Sequence, residues 1–153
     1  MKKAPFALAV FCFLCLSCLA SCSSVLTLSS STRLDIPSGF VSKEEHFDKN
    51  GFQDFTDYCK YRYADSLCFE QDRQYRMLTE AELEEVRGYF GNFKMWMEAE
   101  RRLEDYDFDE NCISEGDFVR IESKYGSGHE YDFYNVYFFD TDTCTLYYIH
   151  QNI

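Results

Sequence analysis

Residues 52–63 read FQDFTDYCKYRY, and the fold turns on how they are read. Phe52, Phe55, Cys59 and Tyr63 recur at helical spacing, which places them on one face of an α-helix. Cys68 and Phe69 follow after a break at Asp65-Ser66. Taken as a helix, this stretch makes the chain an α+β protein. The expected domain is small and single, with two or more helices followed by a three-stranded antiparallel meander.

A second helix is expected to start at Thr79. Thr79 and Glu82 have the spacing of a capping box, in which the hydroxyl and the carboxylate satisfy each other's orphan backbone donors. Leu83, Val86, Phe90, Phe93 and Met97 then form a continuous apolar stripe, which carries the helix to about Leu103. Acidic side chains crowd its first turn, and Arg101 and Arg102 lie near its end, as the helix dipole favours. Gly88 and Gly91 oppose it at about 1 kcal/mol each relative to alanine, so they mark a kink or a close neighbour.

After Tyr106 the period becomes two. DFVRIESKY (117–125), YDFYNVYFF (131–139) and CTLYYIH (144–150) read as three strands. A four-residue loop, Asp140 to Thr143, would set residue 139 opposite 144 and 137 opposite 146. One face then carries Asn135, Tyr137, Phe139, Cys144, Leu146 and Tyr148. The other carries Tyr134, Val136, Phe138, Thr145, Tyr147 and Ile149. Both faces are apolar, so both are covered or one binds something.

The amino terminus is an address. Lys2 and Lys3 precede a stretch from Ala4 to Ala20 without a charge, the basic and apolar regions of a secretory signal. CFLCLSCLASC (12–22) matches a bacterial iron–sulfur spacing, but its spacers are greasy and Ser23 stands where the motif has proline. Leu19-Ala20-Ser21-Cys22 instead resembles the lipobox of bacterial lipoproteins. That resemblance implies cleavage before Cys22 and a diacylglyceryl thioether on its thiol, with further acylation of the palmitate type on the new amino group. Cys12, Cys15 and Cys18 then leave with the signal peptide. An uncleaved membrane helix is the rival reading, at the short limit for crossing a bilayer. The expected organisation is a lipoprotein signal peptide (1–21), a Ser/Thr-rich tether (22–39) and a globular domain (40–153). Val25, Leu26 and Leu28 could alternatively pack as an edge strand.

The net charge of −12 argues against nucleic acid as a partner and against electrostatic adhesion to anionic lipid. The expected membrane contact is the lipid anchor. Cys59, Cys68, Cys112 and Cys144 are spread out without zinc-site spacing, so no metal is expected there. Outside the cytoplasm they permit disulfides, with three connectivities open. Cys112–Cys144 is the expected pair, joining the loop before the sheet to the last strand; four free thiols are the alternative. DKNGFQD (48–54) and DYDFDEN (105–111) imitate calcium loops but lack the glycine and the bidentate glutamate. His46, His129 and His150 sit in no catalytic motif, so no catalytic residue is assigned and no cofactor is expected.

The aromatic load is 12 tyrosines and 15 phenylalanines, and it has two readings. Aromatic side chains build a large core from few residues. Exposed, Tyr134, Tyr147 and Tyr148 would form a patch for a glycan or a protein. Residues 139–148, Phe-Asp-Thr-Asp-Thr-Cys-Thr-Leu-Tyr-Tyr, resemble the closing strand pair of small lipoproteins of Gram-positive anaerobes, a likeness that implies no activity. The expectation is an extracytoplasmic, membrane-anchored lipoprotein that binds a ligand or partner. The alternative is a cell-envelope enzyme such as a glycan hydrolase.

Overall fold

The structure is a computed structural model and describes residues 34–48, 55–125 and 128–153. The chain divides into two units, Met1–Asp35 and Ile36–Ile153, and the second holds the fold described below. The expected signal peptide with Cys22, the first calcium-like loop beyond Asp48, and Gly126-Ser127 lie outside the described residues.

The domain is built on one six-stranded antiparallel sheet. Its strands are β1 (Ser42–His46), β2 (Phe55–Arg62), β3 (Arg76–Met77), β4 (Phe118–Ser123), β5 (Phe133–Asp140) and β6 (Thr145–Asn152). Their order across the sheet is β1-β2-β6-β5-β4-β3. The helices are α1 (Leu67–Gln71) and α2 (Leu83–Ala99), the latter led by a 3-10 turn at Glu80–Glu82.

This overturns the expectation of two or more helices followed by a three-stranded meander. Residues 55–62 are a strand paired with β1 on one side and β6 on the other. Tyr58, Cys59 and Tyr61 are all buried, so the strand is apolar on both faces. A strand buried on both faces loses its two-residue alternation, and its apolar positions then fit a helical spacing as well. β1, with the sequence SKEEH, lies at the sheet edge, where charged side chains discourage pairing with other chains.

α2 forms where its capping box and stripe place it. The Glu82 carboxylate accepts from the Thr79 N–H at 3.0 Å and from the Thr79 hydroxyl at 2.7 Å. Val86, Phe90, Phe93 and Met97 are fully buried against Tyr58, Val119, Tyr134, Val136, Phe138 and Ile149 of the sheet. The helix ends at Ala99, four residues before the expected stop. Arg101 takes a positive φ of 60°. Its N–H donates to Glu98 O at 3.0 Å, and that of Arg102 to Met97 O at 2.8 Å, the two bonds of a Schellman stop.

The other face carries a second aromatic cluster, packed in part under α1. Phe69 stacks on Phe139 at 3.9 Å, and Tyr63 meets both rings edge-on. Between β5 and β6, Phe139 pairs with Leu146 and Tyr137 with Tyr148. The register is therefore two residues from the one expected, a shift that leaves every side chain on its face. The turn between them is set by Asp140, whose carboxylate accepts from Asp142 N, Thr143 N and the Thr143 hydroxyl. Asp117, fully buried, holds the same turn from below through the N–H and hydroxyl of Thr141, both at 2.9 Å.

Candidate functional site

The cross-strand register brings polar residues together beyond the end of the α2-covered core. On the face that carries Tyr58, β2 continues with Lys60 and Arg62. Lys60 lies between Glu44 of β1 and Tyr147 of β6, and Arg62 between Ser42 and Thr145. Asp107, from the segment after α2, closes the side. The resulting open cleft has a volume of about 230 Å³. That is below the roughly 300–1,000 Å³ of pockets for drug-sized ligands, and suits one ring-sized group.

Lys60 organises the cleft. Its ammonium lies 2.8 Å from a Glu44 oxygen and 2.6 Å from an Asp107 oxygen. Asp107 also accepts from the Tyr58 hydroxyl at 2.8 Å. Hydrogen bonds from Lys60 and His46 hold Glu44 below the usual carboxylate range. Burial pushes Asp107 up, but the Lys60 and Tyr58 hydrogen bonds outweigh it and leave the carboxyl below its ordinary value. Lys60 is the counterpart: burial disfavours its charge, and the two carboxylates more than restore it, raising the amine above its ordinary value. At neutral pH all three groups are charged.

A line of polar contacts runs on from Glu44. His46 lies 2.9 Å from Glu44 and 3.2 Å from Asp105, and Arg102 reaches Asp105, Glu100 and Thr56. This network ties the edge strands to the chain leaving α2. It also accounts for the second calcium-like loop. Asp105 faces His46 and Arg102, Asp107 faces Lys60 and Tyr58, and Asp109 caps Asn111, so the three carboxylates are turned to three sets of partners. Among the described residues no three His, Cys, Asp or Glu side chains gather as metal ligands.

The tyrosines of the expected patch are not brought together. Tyr134 is 0% and Tyr148 1% exposed, and they lie on opposite faces of the sheet. Tyr134 donates to Gln151 Oε1 at 2.6 Å, and Tyr148 to Asn135 Oδ1 at 2.8 Å. The sheet consumes their rings as core. Tyr147 alone reaches the cleft, half-buried, its ring 4.8 Å from Phe108 and edge-on to it. Arg62, Lys60, Glu44 and Ser42 went unread because their convergence depends on β1 and β2 being strands. The signal that could have found them is the alternation Tyr58, Lys60, Arg62.

Cys59, Cys68, Cys112 and Cys144 are free thiols in this structure. Burial pushes the Cys59 and Cys112 thiols up to about 12, so neither is a nucleophile at neutral pH. His150 is fully buried, and burial lowers its pKa. Among the described residues no helix is long and apolar enough to cross a membrane. No family model, no curated protein and no solved structure matches the chain.

Proposed function

We propose that this protein is a lipid-anchored extracytoplasmic module that binds a ligand or partner at the Lys60 cleft and performs no covalent chemistry there. The anchor reading rests on Leu19-Ala20-Ser21-Cys22 at the end of an uncharged run behind two lysines. Two or more acyl chains hold a protein stably on a membrane where one chain does not.

The observation that favours binding over hydrolysis is the shared ammonium between Glu44 and Asp107. Glycoside cleavage needs one carboxyl kept protonated at working pH by a raised pKa, beside a second that is ionised. Here both carboxyls are lowered, and for both the Lys60 hydrogen bond is the leading stabiliser of the charged form. The cleft offers ionised acceptors and cations, and no general acid.

Two measurements test this reading. Cys22→Ala should abolish lipid labelling and leave precursor-sized protein; a variant that still labels and matures overturns the anchor. The full chain in detergent should bind cell envelope extracted free of lipid, and a Lys60→Met, Tyr147→Ala double variant should lose that binding. Envelope binding that survives both substitutions, or release of sugar fragments that stops with them, overturns the binding role.

A further inference from the structure

We propose that the cleft takes an acidic sugar, a single pyranose ring bearing a carboxylate. This rests on the binding role argued above and names the class of ligand.

The cations at the cleft are not equivalent. Lys60 is committed to Glu44 and Asp107, and Lys43 lies 2.8 Å from Glu45. Arg62 is exposed, lines the cleft, and has no ion-pair or hydrogen-bond partner for its side chain among the described residues. In a chain of net charge −12, this guanidinium is, among the described residues that line the cleft, the cation left to receive an anion. Its planar fork binds a carboxylate through two parallel hydrogen bonds. Ser42, its cross-strand neighbour, adds a hydroxyl donor at the same end.

The rest of the cleft selects what the carboxylate is attached to. Tyr147, cross-strand from Lys60, supplies an aromatic surface suited to the apolar C–H face of a sugar ring. Glu44 and Asp107, held ionised, can only accept hydrogen bonds, which hydroxyl groups donate. A bare phosphate or sulfate would use Arg62 but would leave Tyr147 and the two carboxylate acceptors idle. A neutral sugar would leave Arg62 idle. The acidity of the domain disfavours a long polyanion, so the acidic residue is a lone or terminal one.

The test titrates the full chain, in detergent, with methyl glucuronide and with methyl glucoside, followed by saturation-transfer NMR. The expected result is that the glucuronide binds about tenfold or more tightly than the glucoside, the worth of a charge-assisted hydrogen bond. Arg62→Gln should erase that preference, and Tyr147→Leu should weaken both sugars together. Equal affinity for the two sugars overturns the acidic class and leaves the cleft reading standing. Glucuronide binding unchanged in both variants, or no binding of either sugar, overturns the proposal; the envelope experiment then decides separately whether the cleft binds anything.

Discussion

Arg101 shows how a single residue sets a boundary. It occupies the left-handed region at φ 60°, where an L side chain costs roughly 1–2 kcal/mol and glycine is the usual occupant. Its side chain is exposed and has no hydrogen-bond or ion-pair partner among the described residues. Arg101→Gly should therefore stabilise the domain by about 0.5–1 kcal/mol. The gain is reduced by glycine's freedom in the unfolded chain and by the loss of one cation near the negative end of α2. Arg101→Ala should stay within a few tenths of the parent, because alanine bears the same backbone cost. Urea unfolding midpoints at unchanged slope decide it, and an Arg101→Gly chain no more stable than the alanine variant would contradict the account. The same position explains why the apolar stripe carries the expected helix beyond the end of α2. The usual stop signal is glycine, and here the stop is made by backbone hydrogen bonds alone, which no residue type announces.

At the scale of elements, the two glycines inside α2 differ in kind. A Cβ built on Gly88 would come 2.7 Å from the Tyr131 hydroxyl, whereas at Gly91 the nearest atoms are Glu110 oxygens at 3.9 Å. Gly91→Ala should gain the helix-propensity difference of about 1 kcal/mol. Gly88→Ala should gain clearly less, because the Tyr131 ring must give way, and Tyr131→Leu should restore the full gain to Gly88→Ala. Equal gains at both glycines would show that the tyrosine yields without cost. α2 was legible because a capping box and a one-sided stripe act within one element. β4, β5 and β6 were legible as strands because they are β-branched and aromatic runs bounded by turn residues, even though β5 and β6 are buried on both faces. β1 and β2 were not: β1 is too charged to look like a strand, and β2 too evenly buried to alternate. The candidate site went with them, since Glu44, Lys60, Arg62 and Tyr147 meet only through the β1–β2–β6 register. The sequence marks Tyr147 by its aromatic ring, but beside Tyr134 and Tyr148, which the sheet buries.

For the whole molecule, the aromatic load becomes a statement about pH. Tyr58, Tyr61, Tyr63, Tyr75, Tyr106, Tyr134 and Tyr148 are all held well above the ordinary phenol range, burial being the leading cause in each. Tyr58 and Tyr61 also donate to Asp107 and Glu45, which reinforces their neutral forms. In the unfolded chain a tyrosine titrates near 10. Below that pH both states keep the proton, and these groups add no pH dependence. Above it the unfolded chain sheds protons that the fold retains, so stability falls by about 1.4 kcal/mol per pH unit for each such tyrosine. Several acting together consume a typical stability of 5–15 kcal/mol within about one to two pH units. The Cys59 and Cys112 thiols, at about 12, push the same way once the unfolded chain ionises its own. The expected outcome is a two-part titration followed at 295 nm. A minor fraction of tyrosines ionises reversibly near pH 10 with the fold intact. The remainder ionises in one cooperative step at higher pH, coincident with loss of the far-ultraviolet dichroism and with exposure of Trp96. A smooth titration of every tyrosine near 10, with the dichroism unchanged, would mean that these rings are not the sealed core described here.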